Sequence, residues 1–198
     1  MTKQELINKY YPLAVKATAG TGIFPQTLIT QLIAESGYKL SKLATDYNNF
    51  FGIKAGSMWS GKVVSMNVFE YTPAGQRYTV AGTGKLYANK DAAIKDGAKA
   101  ITLFRVYSDV TNGFRGWVNF LQSNQRYKKV FKANTPEQQF KELKAAGYAT
   151  SPTYEQYLNS IYSGIRSLLP DIKTIAKGGS TFLLAALITY GLYTLAKK

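Results

Sequence analysis

Two carboxylates stand in settings that suit acid–base chemistry. Glu35 closes an apolar-periodic segment and is followed at once by the breaker pair Ser36-Gly37. At ~100° per residue it falls about 20° from Leu28, at the edge of a stripe formed by Leu28, Ile29, Leu32 and Ile33. The last turn of a helix is the negative end of its dipole, and apolar neighbours withhold hydration. Both effects favour the protonated carboxyl, as a general acid near neutral pH requires. Glu70 ends an alternating run over residues 62–71 and shares a side with Val64, Met66 and Val68, where a carboxylate is costly without a partner or a task. One protonated and one ionised carboxyl flanking a bond is common equipment for glycoside hydrolysis. Each glutamate also has a plain structural reading: Glu35 paired with Lys39 or Lys42 at a helix boundary, Glu70 leaning into solvent at a strand end.

Other residues could complete such a site. The loop after Glu35 ends in NNFFGIK over residues 48–54, which offers the amide of Asn49 and the ring of Phe50. Trp59 and the tyrosines could stack on sugar faces, although rings at helical spacing, Tyr154 among them, also suit a core. Tyr148 follows the helix-stopping Gly147 and lies outside the apolar periodicity, which makes it the tyrosine best placed to line a binding surface.

Composition narrows the chemistry. The 198 residues contain neither cysteine nor histidine, which removes disulfides, thiolate and imidazole metal sites, and the Ser-His and Cys-His nucleophile systems. No cofactor or metal is implied. A net charge of +14 calls for a polyanionic neighbourhood: nucleic acid, anionic lipid or envelope polymers. The basic residues are scattered singly with no nucleic-acid motif, so no nucleic-acid partner is expected.

The elements that must hold these residues follow from periodicity and caps. Thr2-x-x-Glu5 is a capping box opening a helix with Leu6, Ile7, Tyr10 and Tyr11 inward, interrupted or restarted at Pro12. Pro25 suits the first turn of a second helix running to about Ser36. Residues 62–71 and 76–80, joined by Pro73-Ala-Gly75, read as a hairpin. Helical spacing resumes near Asp91 with Ile94, Ala98, Ile101 and Phe104 or Val106, and a short helix carries Trp117, Phe120 and Leu121. Thr135-Pro136 and Ser151-Pro152 start two more helices, the last with Tyr154, Tyr157, Leu158, Ile161, Ile165 and Leu168 on one face.

Four segments in order resemble the bacterial and phage N-acetylglucosaminidases of the autolysin and flagellar-rod type, within the lysozyme-like superfamily. They are 28–38 (LITQLIAESGY), 43–54 (LATDYNNFFGIK), 100–108 (AITLFRVYS) with Asn119-Phe120-Leu121 beyond it, and 145–154 (AAGYATSPTY). The resemblance implies a mainly α, lysozyme-like α+β fold with a small β-hairpin lobe, and a cleft between helices and lobe. It further implies hydrolysis of the β-1,4 bond between N-acetylglucosamine and N-acetylmuramic acid, with peptidoglycan glycan strands as partner. By the same resemblance Glu35 is the acid, Glu70 the second carboxylate, and Tyr148 a wall of the cleft. The chain departs from the family pattern at Lys39 and at Arg115-Gly116-Trp117.

The expected organisation is a catalytic domain over 1–170, a linker over 171–179 and a C-terminal hydrophobic helix over 180–196. That last stretch holds no charge and, at ~1.5 Å per residue, is near the lower limit for a bilayer span. With nothing like a secretory signal at the N-terminus, the expectation is a single C-terminal pass in a virion membrane or a bacterial envelope. The competing reading is a non-catalytic basic module, binding peptidoglycan or nucleic acid on a membrane anchor.

Overall fold

The structure, a computed structural model, describes residues 1–170. In chain order the elements are α1 (Lys3–Thr18), α2 (Pro25–Ser36), α3 (Lys42–Tyr47), β1 (Val63–Ser65), β2 (Val68–Tyr71), β3 (Arg77–Val80), β4 (Leu86–Tyr87), α4 (Lys90–Lys95), β5 (Leu103–Arg105), α5 (Val110–Gln122), α6 (Pro136–Ala145) and α7 (Tyr154–Ile165). Short 3-10 turns precede β5, lie between α5 and α6, and follow α7. The described residues divide into two compact units: Met1–Leu40 with 114–170, and Ser41–Gly113.

The first unit is helical. Thr2 and Glu5 form the expected capping box on α1, the Thr2 N–H donating to Glu5 Oε2 at 2.8 Å and the Glu5 N–H to Thr2 Oγ1 at 3.2 Å. Pro12 lies inside α1 without ending it. The proline forfeits one intrahelical N–H, and burial of Leu6, Ile7, Tyr10, Tyr11 and Ala14 holds the helix straight through. Pro25 starts α2, and Gly37, at φ 60°, stops it with its N–H on the Ile33 carbonyl at 2.7 Å. The apolar stripe of α2 is fully used: Leu28, Ile29 and Leu32 are wholly buried, and α2 packs against α1, α6 and α7. Around it Phe114, Trp117, Leu121, Phe140, Leu143, Leu158 and Ile165 fill the core. The last helix is shorter than its apolar spacing suggests, ending at Ile165 in a 3-10 turn, with Tyr157 exposed.

The second unit is the β lobe. Its three-stranded antiparallel sheet has the order β4-β1-β5, and a separate hairpin pairs β2 with β3. The hairpin and its turn at Gly75 match expectation. The single strand expected over 62–71 does not: it divides at Met66-Asn67, and its halves join different sheets. Gly82 packs so closely on the Met66 backbone there that a Cβ would lie 2.4 Å from the Met66 carbonyl carbon. The helix expected from Asp91 to Phe104 or Val106 is likewise cut short. Gly97, at φ 84°, ends the helical turn, and Leu103–Arg105 pairs with β1 instead.

One expectation is corrected. Among the described residues no helix is long and apolar enough to cross a membrane. The longest of them, α1, has 16 residues and carries Lys3, Glu5, Lys9 and Lys16, against the ~20 apolar residues a span needs. A membrane-spanning helix, the membrane as partner and a membrane location therefore have no support in the structure. The stretches 171–179 and 180–196, on which that expectation rested, lie outside the described residues.

Candidate active site

Glu35 is the eleventh residue of the twelve in α2, in the turn whose carbonyls face the helix's negative end. Its pKa is raised, and the cause is lost hydration around the carboxyl. By area the residue is nonetheless exposed. A carboxyl that is poorly hydrated yet reachable can hold its proton and hand it to an incoming oxygen. Neither expected lysine neutralises it: among the described residues Glu35 forms no ion pair, and Lys42 instead pairs with Asp46 at 3.7 Å.

Tyr148 and Tyr154 belong to the same unit and both feel the Glu35 charge. Burial first, then that charge, pushes the Tyr148 phenol far up; the same two influences raise Tyr154. Both are neutral hydroxyls at any working pH. Their rings are held in a connected bank. Tyr148 stacks on Tyr154 with centroids 6.0 Å apart and planes 21° apart, and it meets Tyr127 at 6.0 Å and Trp117 edge-on at 6.4 Å. The indole N–H of Trp117 donates to Tyr148 Oη at 2.9 Å, so this hydroxyl accepts from below and keeps its own proton to donate. Tyr154 Oη donates to Gln31 Oε1 at 2.8 Å. Gln31 is one helical turn before Glu35, on the same face of α2.

The β lobe holds the other expected residues. Glu70 lies on β2 opposite Tyr78, half-buried, on the side of the hairpin shared with Val68. Lys54 is within electrostatic reach of it. The Lys54 ammonium sits 3.9 Å over the Phe104 ring and donates to the Ile101 carbonyl, and desolvation lowers its pKa while Glu70 opposes that shift.

Asn49 and Phe50 are buried, at 1% and 6% exposure. The Asn49 amide donates to the Ile53 and Arg105 carbonyls, both at 2.9 Å, and its Oδ1 accepts from the Ile53 N–H at 2.9 Å. This side chain is spent on tying the loop to β5. Trp59 is half-buried, its indole N–H on the Lys62 carbonyl at 3.0 Å, its ring against Tyr107 at 5.5 Å and under the Arg105 guanidinium at 4.9 Å. No cluster of metal-ligating residues occurs among the described residues.

The helical unit thus carries a desolvated acid at a helix end beside neutral tyrosines, and the β lobe carries a carboxylate on its hairpin. Residues 11–167 match the family model described as mannosyl-glycoprotein endo-beta-N-acetylglucosaminidase. The chain belongs to this glucosaminidase family. It is 32% identical over 162 residues to the peptidoglycan hydrolase FlgJ of Pseudomonas aeruginosa, covering 79% of this chain and 35% of that protein. The C-terminally truncated glycoside hydrolase domain of Salmonella typhimurium FlgJ superposes with a TM-score of 0.61 at 26% identity, over 84% of this chain and 99% of that one. A peptidoglycan hydrolase mutant from Sphingomonas sp. A1 gives 0.59 at 27% identity, over 83% and 97%. The chain spans a third to a half of the length of the first curated relatives it matches. The expected kinship and the mainly α fold with a β-hairpin lobe are both borne out.

This glucosaminidase supports its tyrosines with residues that the sequence did not mark out. Gln31, Trp117 and Tyr127 build the tyrosine bank; Gln31 and Trp117 sit within apolar-periodic stretches that read as core, and Tyr127 lies in a polar segment between helices. Gln31 is a polar residue one helical turn before the acid, beyond the edge of the apolar stripe, and its burial follows only from the fold.

Proposed function

We propose that this glycoside hydrolase acts on peptidoglycan, cleaving the β-1,4 bond between N-acetylglucosamine and N-acetylmuramic acid. One observation carries the reading: a carboxyl at the end of α2 with its pKa raised by desolvation, unpaired among the described residues, beside two neutral tyrosines. The described activities of the relatives support the choice of polymer.

In this reading Glu35 gives its proton to the glycosidic oxygen as the C1–O bond breaks, and water adds at C1. Glu70 takes the proton of that water, or steadies positive charge if the substrate's own acetamido oxygen attacks first. Tyr148 presents its O–H to a polar group of the sugar, and Trp59 offers a ring edge at the β lobe.

Purified protein on a peptidoglycan-containing gel is the first experiment. Clearing by wild type that is lost in Glu35→Gln is expected; no clearing by wild type would sink the enzymatic reading. Mass spectrometry of the digest then identifies the bond: a new reducing N-acetylglucosamine supports it, and a new reducing N-acetylmuramic acid overturns it. For Glu70, loss of activity in Glu70→Gln that added azide restores is the outcome that assigns the base.

A further inference from the structure

A pocket lies in the helical unit, on residues the catalytic reading does not use. It has a volume of ≈ 340 Å³ and is lined by Lys129, Lys132, Ala133, Gln138, Lys141 and Glu142. Three lysines scattered in the sequence thus face one space, against a single carboxylate. Among the described residues none of the three is in an ion pair. The pocket's frame is fixed from beneath. Gln139, wholly buried, donates from Nε2 to the Val130 carbonyl at 3.1 Å and the Gly22 carbonyl at 2.7 Å, and accepts from the Phe24 N–H at 3.1 Å. It thereby clamps the Val130–Lys132 turn, with Lys129 just before it, to α6, which carries Lys141. On the rim Gln138 Oε1 accepts from the Asn134 N–H at 2.8 Å.

The lining narrows the ligand. Its volume is within the range of a small-ligand site, on the order of 300–1,000 Å³. No arginine lines it, so the planar fork that suits a carboxylate is missing, whereas mobile ammonium groups suit a tetrahedral phosphate. No aromatic ring lines it either, so a nucleobase would find nothing to stack on. We infer that this pocket binds a phosphodiester group of an anionic glycerol- or sugar-phosphate polymer of the bacterial wall, holding the enzyme at its substrate. The source of the phosphate rests on the peptidoglycan reading above. The pocket is a retention site, separate in residues from Glu35 and its tyrosines.

The test uses the full chain and two wall preparations, one intact and one stripped of phosphodiester polymer by hydrofluoric acid. Wild type is expected to bind intact walls roughly fivefold or more tightly over stripped walls at low salt, with the gap closing as salt rises. Lys129→Gln/Lys132→Gln/Lys141→Gln closes the gap while hydrolysis of stripped peptidoglycan stays unchanged. A control with the same charge loss elsewhere, Lys62→Gln/Lys95→Gln/Lys99→Gln, keeps the gap. Should the pocket variant keep it, or the control lose it equally, the site is refuted. Soluble poly(glycerol phosphate) is expected to compete wild type off intact walls at a lower phosphate concentration than a single-stranded oligonucleotide; the reverse order overturns the assigned source. Hydrolysis of stripped peptidoglycan reads the proposed function, and the binding gap reads the pocket, so each can fail alone.

Discussion

Tyr154 Oη donates to Gln31 Oε1 at 2.8 Å across 123 positions of sequence, joining the start of α7 to the turn of α2 that precedes the acid. Both residues are buried, and Gln31 Nε2 has no hydrogen-bond partner among the described residues. Tyr154→Phe leaves the Gln31 carbonyl unsatisfied as well, which costs ~1–3 kcal/mol. Urea denaturation measures that loss. The stack on Tyr148 loses its anchor too, so kcat should fall more than folding alone explains, with the variant assayed well below its melting temperature. A Tyr154→Phe enzyme of wild-type kcat would show that this bond serves the fold only.

Glu35→Gln should lower kcat by ~10²–10⁴-fold, the usual contribution of a positioned acid. In the wild type, activity should be lost as pH rises through the raised Glu35 pKa, because the working form is protonated. Stability follows with a definite sign. The folded state holds this proton more tightly than the unfolded chain, so the Glu35 contribution is most favourable below the unfolded carboxyl pKa. It then declines as pH rises through the window up to the folded value. Melting temperature against pH should therefore decline less steeply for Glu35→Gln across that window. Parallel curves for the two proteins would contradict the desolvated carboxyl.

Asn49→Ala removes three hydrogen bonds at a residue with 1% exposure, so a loss of about 2–4 kcal/mol is expected from urea midpoints. Asn49→Asp should do no better, since a carboxylate would face the Ile53 and Arg105 carbonyls that the amide now serves. If Asn49 instead met substrate, Asn49→Ala would raise KM with stability intact.

Two glycines should respond oppositely to alanine. At Gly113 a Cβ would fall 1.9 Å from the Asn48 carbonyl oxygen, a backbone atom with no room to yield. Gly113→Ala is expected to cost upwards of ~3 kcal/mol or to abolish soluble expression. Gly164, inside α7, has only the Lys3 ammonium 3.6 Å away, and Gly164→Ala should stabilise by ~0.5–1 kcal/mol. Thermal melts of both variants settle the contrast.

What could be read from the sequence divides along physical lines. The caps at Thr2, Pro25 and Thr135 are local chemistry, and all three open helices where expected. The desolvated setting of Glu35 was legible because an acid at the edge of an apolar stripe is a local anomaly. Gln31 was not singled out, because its meaning depends on a tyrosine 123 positions away. Alternation along 62–71 reports only which side a residue faces; it carries no word of the partner strand, so the change of sheets at Met66-Asn67 went unseen. Spacing at Ile94, Ala98 and Ile101 imitates a helix, yet Ile94 and Ile101 are exposed and Leu103 is wholly buried. Three scattered lysines gave no sign of meeting, since their convergence depends on the fold of the 129–142 segment.

The helical unit is interrupted in sequence by residues 41–113. On the ribosome, α1 and α2 emerge before the lobe, and the partners of α2 on α6 and α7 come only after that whole lobe has been made. At ~5–20 residues per second the wait from the end of α2 to the end of α7 is roughly 6–26 s, during which Leu28, Ile29 and Leu32 have only α1 to cover them. The Glu35–tyrosine assembly therefore comes into being only once Tyr148 and Tyr154, far downstream of the acid, have been made.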